Sequence, residues 1–427
     1  MVASHHFEKC NIYVANRIIA RTAFYCYEQK LNTFQPSIFK KAIEEEKEKY
    51  GGDVFSDCQA FSDILCEANI LKKAETNSTF EYSFEKRKVF AYFVGKYAMN
   101  LLHSFSDSSA LNMIIENGIY SPLNFNILMS IATNYSYHTI PNYFVNDLHK
   151  EIMGLPLDIG TSANGLIGYF KEDKERLLNI SKEERKRIKK SISVQEEKNR
   201  NEYLKNADNY FYIEQMDSEL TNIIDLINKM KIVSVLLGAS NMVLKEEKSK
   251  LADIVIKLPN VIIEKYISLT KKEIDRIYVE IQEMAKSHEE ITQTDIDDFF
   301  DYLISLVTSV VLTIYDTSSR YLGSSNISKE LLAKIDAIGD DSSYNMHAIQ
   351  RLMLLSFTNK ELFTSEVTKF IKENKNIYYC NQARLIARRF YFDNEEYVNK
   401  NKKGFLESIG GFTKMKIIGE RNKRIKK

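Results

Sequence analysis

The chain is 427 residues long, more than one ordinary hydrophobic core accommodates, so two or three domains are expected. Its 59 basic and 58 acidic residues nearly cancel, and a formal charge of +1 excludes a global pull toward nucleic acid or anionic lipid. Only 15 glycines and 5 prolines punctuate it, too few for a many-stranded β protein, and a mainly α architecture follows.

The first element is an apolar-rich helical run from Phe7 to Gln29. A second, Pro36 to Tyr50, starts at a proline suited to a first helical turn. The third, Phe55 to Ile70, carries Ala60, Phe61, Ile64, Leu65 and Ala68 on one face. Glu75 to Ser78 supply turn residues, and Phe80, Tyr82 and Phe84 then alternate with Glu81 and Ser83 as a half-buried strand does. Three helices followed by a short β-hairpin make the plan of a winged helix. Phe90, Phe93 and Tyr97 next form one helical face, broadened by Tyr92. That stripe predicts core packing against the preceding helices in preference to a stacking platform for bases.

A helical block follows from Ser109 to Gly154, with starts at Ser109 and Pro122 and stops at Asn117-Gly118 and Gly154. Leu155 to Gly168 reads as a loop. Lys171 to Glu202 is the most polar stretch, mixed in charge and poor in apolar residues, which predicts a solvated helix or connector. From Asp208 onward helix follows helix. Leu220, Ile223, Ile224, Ile227 and Met230 form one stripe; Leu251, Ile254, Val255, Leu258 and Ile262 form another, interrupted by Pro259. Later helices are expected over Ile296–Asp316, from Ser328, and over Ser365–Lys375, Ile377–Phe392 and Asn394–Ile409. The resulting plan has a winged-helix-like domain at 1–105, a helical connector block at 106–170 and a charged connector at 171–207. A loosely solenoid-like helical array occupies 208–427.

The search for chemistry assigns no catalytic, cofactor-binding or metal-binding residue. Gly160 to Gly165 has the glycine spacing of a phosphate loop, but Leu166 and Ile167 stand where Lys and Ser/Thr are needed. His5 and His6 sit side by side near the terminus, where adjacent helix side chains do not face each other, and His103, His138, His149, His288 and His347 have no carboxylate or cysteine at ligand spacing in the sequence. Asp295, Asp297, Asp298 and Asp301 suit a helix start. Cys10, Cys26, Cys58, Cys66 and Cys380, odd in number and scattered, read as buried reduced thiols of a cytoplasmic protein. No secretory signal is expected. The longest apolar segment, Leu303 to Tyr315, is short of the about 20 apolar residues a membrane span needs, and no membrane partner is expected.

A DNA-reading winged helix needs basic or amide side chains on its third helix. Here that helix carries Asp57, Asp63 and Glu67, with Gln59 and Asn69 as amides, and the hairpin offers only Lys72 and Lys73. Nucleic-acid contact, the alternative function of a transcriptional regulator, would then fall to Lys182–Lys190.

Phe80-Glu-Tyr82-Ser-Phe84 and Tyr92-Phe93-Val94-Gly95-Lys96-Tyr97 resemble the "F-x-Y-x-F … Y-F-V-A-x-Y" strand and helix that close the winged-helix domain of bacterial STAND-type (NACHT-like) P-loop NTPases of antiphage defence. Gly95 stands where that pattern has Ala. Ile227 to Asn241 is similar to a helix of their sensor region, with Ala239 in place of Gln. Phe363 to Gly410, with Asn374-Lys375-Asn376 and Arg388-Arg389-Phe390-Tyr391, resembles their closing helices. The P-loop, the Mg²⁺-binding strand and the sensor residues have no counterpart, so no nucleotide-site residue is carried over. The resemblance implies a non-catalytic regulatory and sensor module without the NTPase core. Its partners would be proteins, either a P-loop NTPase domain or a phage trigger protein, with oligomerisation open to the helical array.

Overall fold

The computed structural model describes residues 12–50, 58–76, 79–134, 141–155, 210–211, 217–239, 245–287, 293–322, 325–338, 344–394, 396–398 and 405. The fold is mainly α with one antiparallel hairpin among the described residues. Two compact units divide the chain, one of residues 1–143 and 189–232, the other of 144–188 and 233–427.

The first unit contains α1 (Ile12–Glu28), α2 (Pro36–Tyr50), α3 (Cys58–Glu67), β1 (Leu71–Thr76), β2 (Thr79–Phe84), α4 (Arg87–Phe105), α5 (Ser109–Glu116) and α6 (Pro122–Asn134). Glu75 and Thr76 belong to β1, opposite Phe80 and Thr79, so the turn is shorter than the residue types from Glu75 to Ser78 suggest. Cross-strand pairing extends to the last residue with a partner and overrides local turn preference. Tyr82 and Phe84 point inward at 1% and 2% exposure, whereas Phe80 stays out at 41%. Phe34, between α1 and α2, exchanges two backbone hydrogen bonds of 2.8 Å with Tyr82, so β2 has a bonded neighbour on each side, β1 on one and Phe34 on the other.

Aromatic rings knit these elements together. Phe39 meets Phe34, Phe61 and Tyr82 edge-on, with centroids 5.2 to 5.9 Å apart. Phe90 lies 5.1 Å from Phe84, and Phe24 stacks on Tyr97 at 4.6 Å. Phe90, Phe93 and Tyr97 are all buried, so the α4 stripe is core. Gly95 lets α4 approach α6: a Cβ there would sit 3.0 Å from Ile131 Cγ1. Lys30, Asn69 and Ser106 follow α1, α3 and α4 in the left-handed region, each with φ of 54°. The residue after each closes back on the helix, Leu31 N on Cys26 O, Ile70 N on Leu65 O and Asp107 N on Leu101 O. These are helix stops made without glycine.

The second unit takes in nearly all of α7 (Pro141–Met153), the end of α8 (Ser218–Gly238), and α9 (Lys245–Ser287), α10 (Gln293–Tyr321), α11 (Ser325–Asp336), α12 (Tyr344–Thr358), α13 (Lys360–Glu373) and α14 (Ile377–Asp393). The α9 helix runs through Pro259 without a break. Proline removes the N–H that would bond the carbonyl of Val255. Gln350 Nε2, from α12, donates to that carbonyl at 3.2 Å instead. Beside it Asn260, fully buried, donates to Ile256 O and accepts from Tyr315 Oη at 2.7 Å. The carbonyl freed by the proline is thus met by a side chain from another helix, α12.

Three helix starts differ from the sequence expectation, and the helix expected from Ile296 begins at Gln293. Asn359 caps α13 by accepting from Leu362 N at 3.0 Å, so that helix begins at Lys360 and not at Ser365. The helix expected from Ser328 already starts at Ser325. Of the expected Asn394–Ile409 helix, Asn394 is the C-cap of α14, while 396–398 and 405, the other described residues, are helical.

Candidate partner-binding surfaces

The helix that would read DNA in a winged-helix plan is α3, and its Asp63 is paired within the domain. The Asp63 carboxylate accepts from Lys73 Nζ at 3.0 Å and from Gln59 Nε2 at 3.0 and 3.1 Å. Those hydrogen bonds, Lys73 foremost, hold Asp63 below the ordinary carboxylate range. The same Lys73 ammonium lies 4.3 Å over the Phe80 ring. Lys72 Nζ lies 3.6 Å from Glu85 Oε1. Both hairpin lysines are therefore engaged by carboxylates, and Asn69 is committed to the left-handed stop after α3. Asp57 lies outside the described residues. Beneath this face Ser62 Oγ and Tyr82 Oη share a buried hydrogen bond of 2.9 Å, which ties α3 to β2.

On α1, Arg21 reaches Glu45 on α2 at 2.8 Å, Tyr25 Oη at 3.0 Å and Tyr97 Oη on α4. Tyr25 also donates to Glu45. Burial, the largest cause, pushes both phenols up to about 12, with Arg21 pulling the other way. Phenols held so high stay protonated at neutral pH, and the cluster joins α1, α2 and α4.

In the second unit, four chemically suggestive side chains meet that are scattered in sequence. Lys334 Nζ lies 2.8 Å from Ser249 Oγ and 2.5 Å from Asp253 Oδ1, and His149 Nε2 lies 4.0 Å from the other Asp253 oxygen. A serine nucleophile paired with lysine needs a neutral amine. Here the amine forms an ion pair with Asp253. His149 thus has a carboxylate neighbour that no spacing in the sequence reveals.

A cavity of about 520 Å³ opens between α11, α12 and α13 in the same unit. Arg351 crosses it from α12 to Asp336 on α11, at 2.5 Å, and to Glu366 on α13. Ile335, Leu352 and Phe370 give it an apolar floor, while His347, Lys369 and Glu373 complete its polar walls. It is a concave surface with both charges and no serine, threonine or cysteine in its lining, suited to holding a side chain of another molecule.

Several sequence candidates lie outside the described residues: Gly160–Gly165, Lys182–Lys190, the rest of the Lys171–Glu202 stretch, His5, His6, His138, His288 and Cys10. The side chains of Asp295, Asp297, Asp298 and Asp301 are outside the described set as well. Among the described residues no three His, Cys, Asp or Glu side chains gather as a metal site. Cys26 and Cys380 are buried, but Cys58 and Cys66 are half-buried, at the edge of α3 and not within a core as their spacing suggested. No helix of the described residues is long and apolar enough to cross a membrane. No protein-family model, curated protein or solved structure matches the chain.

Proposed function

We propose that this chain is a non-catalytic regulatory module that binds proteins, as the winged-helix and helical sensor regions of STAND-type NTPases do, in a cytoplasmic antiviral switch. The carrying observation is the neutralised α3 face: Asp63 holds Lys73, Glu85 holds Lys72, and no excess cation is left to meet a phosphate backbone. The order helix, bridging residue, two helices, hairpin supports a winged-helix reading of the first unit. The unbonded cysteines Cys26, Cys58, Cys66 and Cys380 suit a reducing compartment. In this reading the module shifts between closed and open arrangements, and a partner protein selects one of them.

Co-expression with a P-loop NTPase encoded beside the chain tests this. A stoichiometric complex that Asp63→Arg weakens is the expected result. Hydrolysis of ATP by the purified chain alone at enzyme-like rates, with contaminants excluded, would overturn the non-catalytic reading. Tight binding of duplex DNA at about 0.15 M salt would instead establish the transcriptional alternative.

A further inference from the structure

In the second unit one buried carboxylate holds two exposed arginines. Asp316 on α10 is 8% exposed. It accepts from Arg320 Nε at 2.8 Å, one turn along the same helix, and from Arg389 on α14, whose two terminal nitrogens lie 3.1 and 3.2 Å from its oxygens. The arginine side chains remain 56% and 42% exposed. One carboxylate cannot cancel two guanidinium groups, so a net positive charge stays at the surface. Each guanidinium carries five N–H donors in a planar fork, and Asp316 uses only a minority of them. Phe357 on α12 completes the set. It is 50% exposed, and the Arg320 guanidinium carbon lies 5.8 Å from its ring centroid.

A lone exposed phenylalanine needs no explanation, and a single exposed ion pair contributes little to stability. The combination is different. Aromatic and arginine side chains are the types that dominate binding energy at protein interfaces. Here Asp316 fixes both arginines before any partner arrives, which lowers the ordering cost of association. The fork geometry matches a carboxylate bidentately, and Phe357 offers an apolar seat beside it.

We propose that Arg320, Arg389 and Phe357 form a docking surface for a short acidic segment of a partner protein, one that places an apolar side chain next to Asp or Glu. This rests on the reading that the chain works by binding proteins, and it names the chemistry of one partner. Nucleic acid fits less well. A phosphate backbone needs a track of several cations, whereas the chain is nearly neutral overall and exposed Asp393 stands one turn along α14 from Arg389.

The test uses the full chain and a fluorescent peptide of about 12 residues, Asp and Glu around a central Leu-Phe pair, followed by anisotropy at about 0.15 M salt. The wild-type chain binds it. An Arg320→Gln/Arg389→Gln variant loses about tenfold or more in affinity, as removal of charge-assisted contacts requires. That variant leaves Asp316 without its cations, so Phe357→Ser, which touches no ion pair, serves as a second probe and loses about threefold or more. Thermal melting confirms that each variant is folded. Equal binding by wild type and both variants, or no binding by wild type at about 1 mM peptide, overturns the surface. So does a single-stranded oligonucleotide that outcompetes the peptide at the same residues. An NTPase complex that forms unchanged with Arg320→Gln/Arg389→Gln removes this surface from that partnership but leaves the protein-binding reading standing.

Discussion

The two compact units reach a stable helical core by different means. The first relies on rings: Phe34, Phe39, Phe61, Tyr82, Phe84 and Phe90 touch in succession, and the hairpin serves as the plate on which they rest. The second has a smaller ring cluster of its own, Phe363, Phe390 and Phe405, and adds long aliphatic helices whose backbone irregularity at Pro259 is patched by a buried amide from Gln350. Apolar contact is non-directional and tolerates small adjustments, whereas a buried polar node must be satisfied in full or not at all. The first unit should therefore respond to lost volume, and the second to lost hydrogen-bond partners or lost clearance.

Phe90→Ala gives the largest expected effect. Phe90 is fully buried between Phe84 and Tyr210, and its removal should cost about 3–5 kcal/mol in urea unfolding. A loss below about 1 kcal/mol would mean that the rings are not a shared core. Next comes one substitution made once in each unit. A Cβ at Gly238 would meet the Leu322 carbonyl oxygen at 2.6 Å, which is backbone and cannot step aside, so Gly238→Ala should destabilise by about 1–3 kcal/mol. At Gly95 the nearest atom is the Ile131 side chain, which can yield. Gly95→Ala also gains helix propensity, so melting should move by the equivalent of about 0.5 kcal/mol or less, in either direction. Equal costs at the two glycines would break the contrast. The last substitution is the most diagnostic. Gln350→Leu deprives the Val255 carbonyl of its donor but also removes the Gln350 carbonyl, which has no hydrogen-bond partner of its own among the described residues, so the net cost should be about 1 kcal/mol. In a Pro259→Ala background the backbone N–H returns, and the same substitution should cost nothing measurable. An additive double-mutant cycle would show that Gln350 and Pro259 are independent.

Much of the first unit was legible because its signals are local. The i, i+3, i+7 spacing of Phe90, Phe93 and Tyr97 marks a buried helical face, and Pro122 marks a helix start, whatever lies elsewhere in the chain. The acidity of α3 was equally plain from Asp63 and Glu67. What escaped was non-local or carried an unusual residue. Tyr210 stacks on Phe90 at 5.2 Å, donates to Phe84 O, and bonds through its backbone N–H to Asn32 at 2.8 Å. No spacing rule connects residues so far apart. The helix stops at Lys30, Asn69 and Ser106 lack the glycine by which a left-handed terminus is usually recognised, which is why α3 read as running to Ile70. Pro259 looked like an interruption because the amide that accommodates it arrives from α12. The pairing of Asp316 with Arg389 and of Asp253 with His149 was hidden for the same reason.

The β1 strand bonds only one neighbour, β2, so its outer rim of amides and carbonyls faces no other described strand. Such a rim invites a second molecule to add on and start a growing ladder. Consecutive lysines at 72 and 73 place a cation on each face of that rim, and each is tethered by a carboxylate and so kept in position. Lysines so placed discourage a second molecule from adding to the strand.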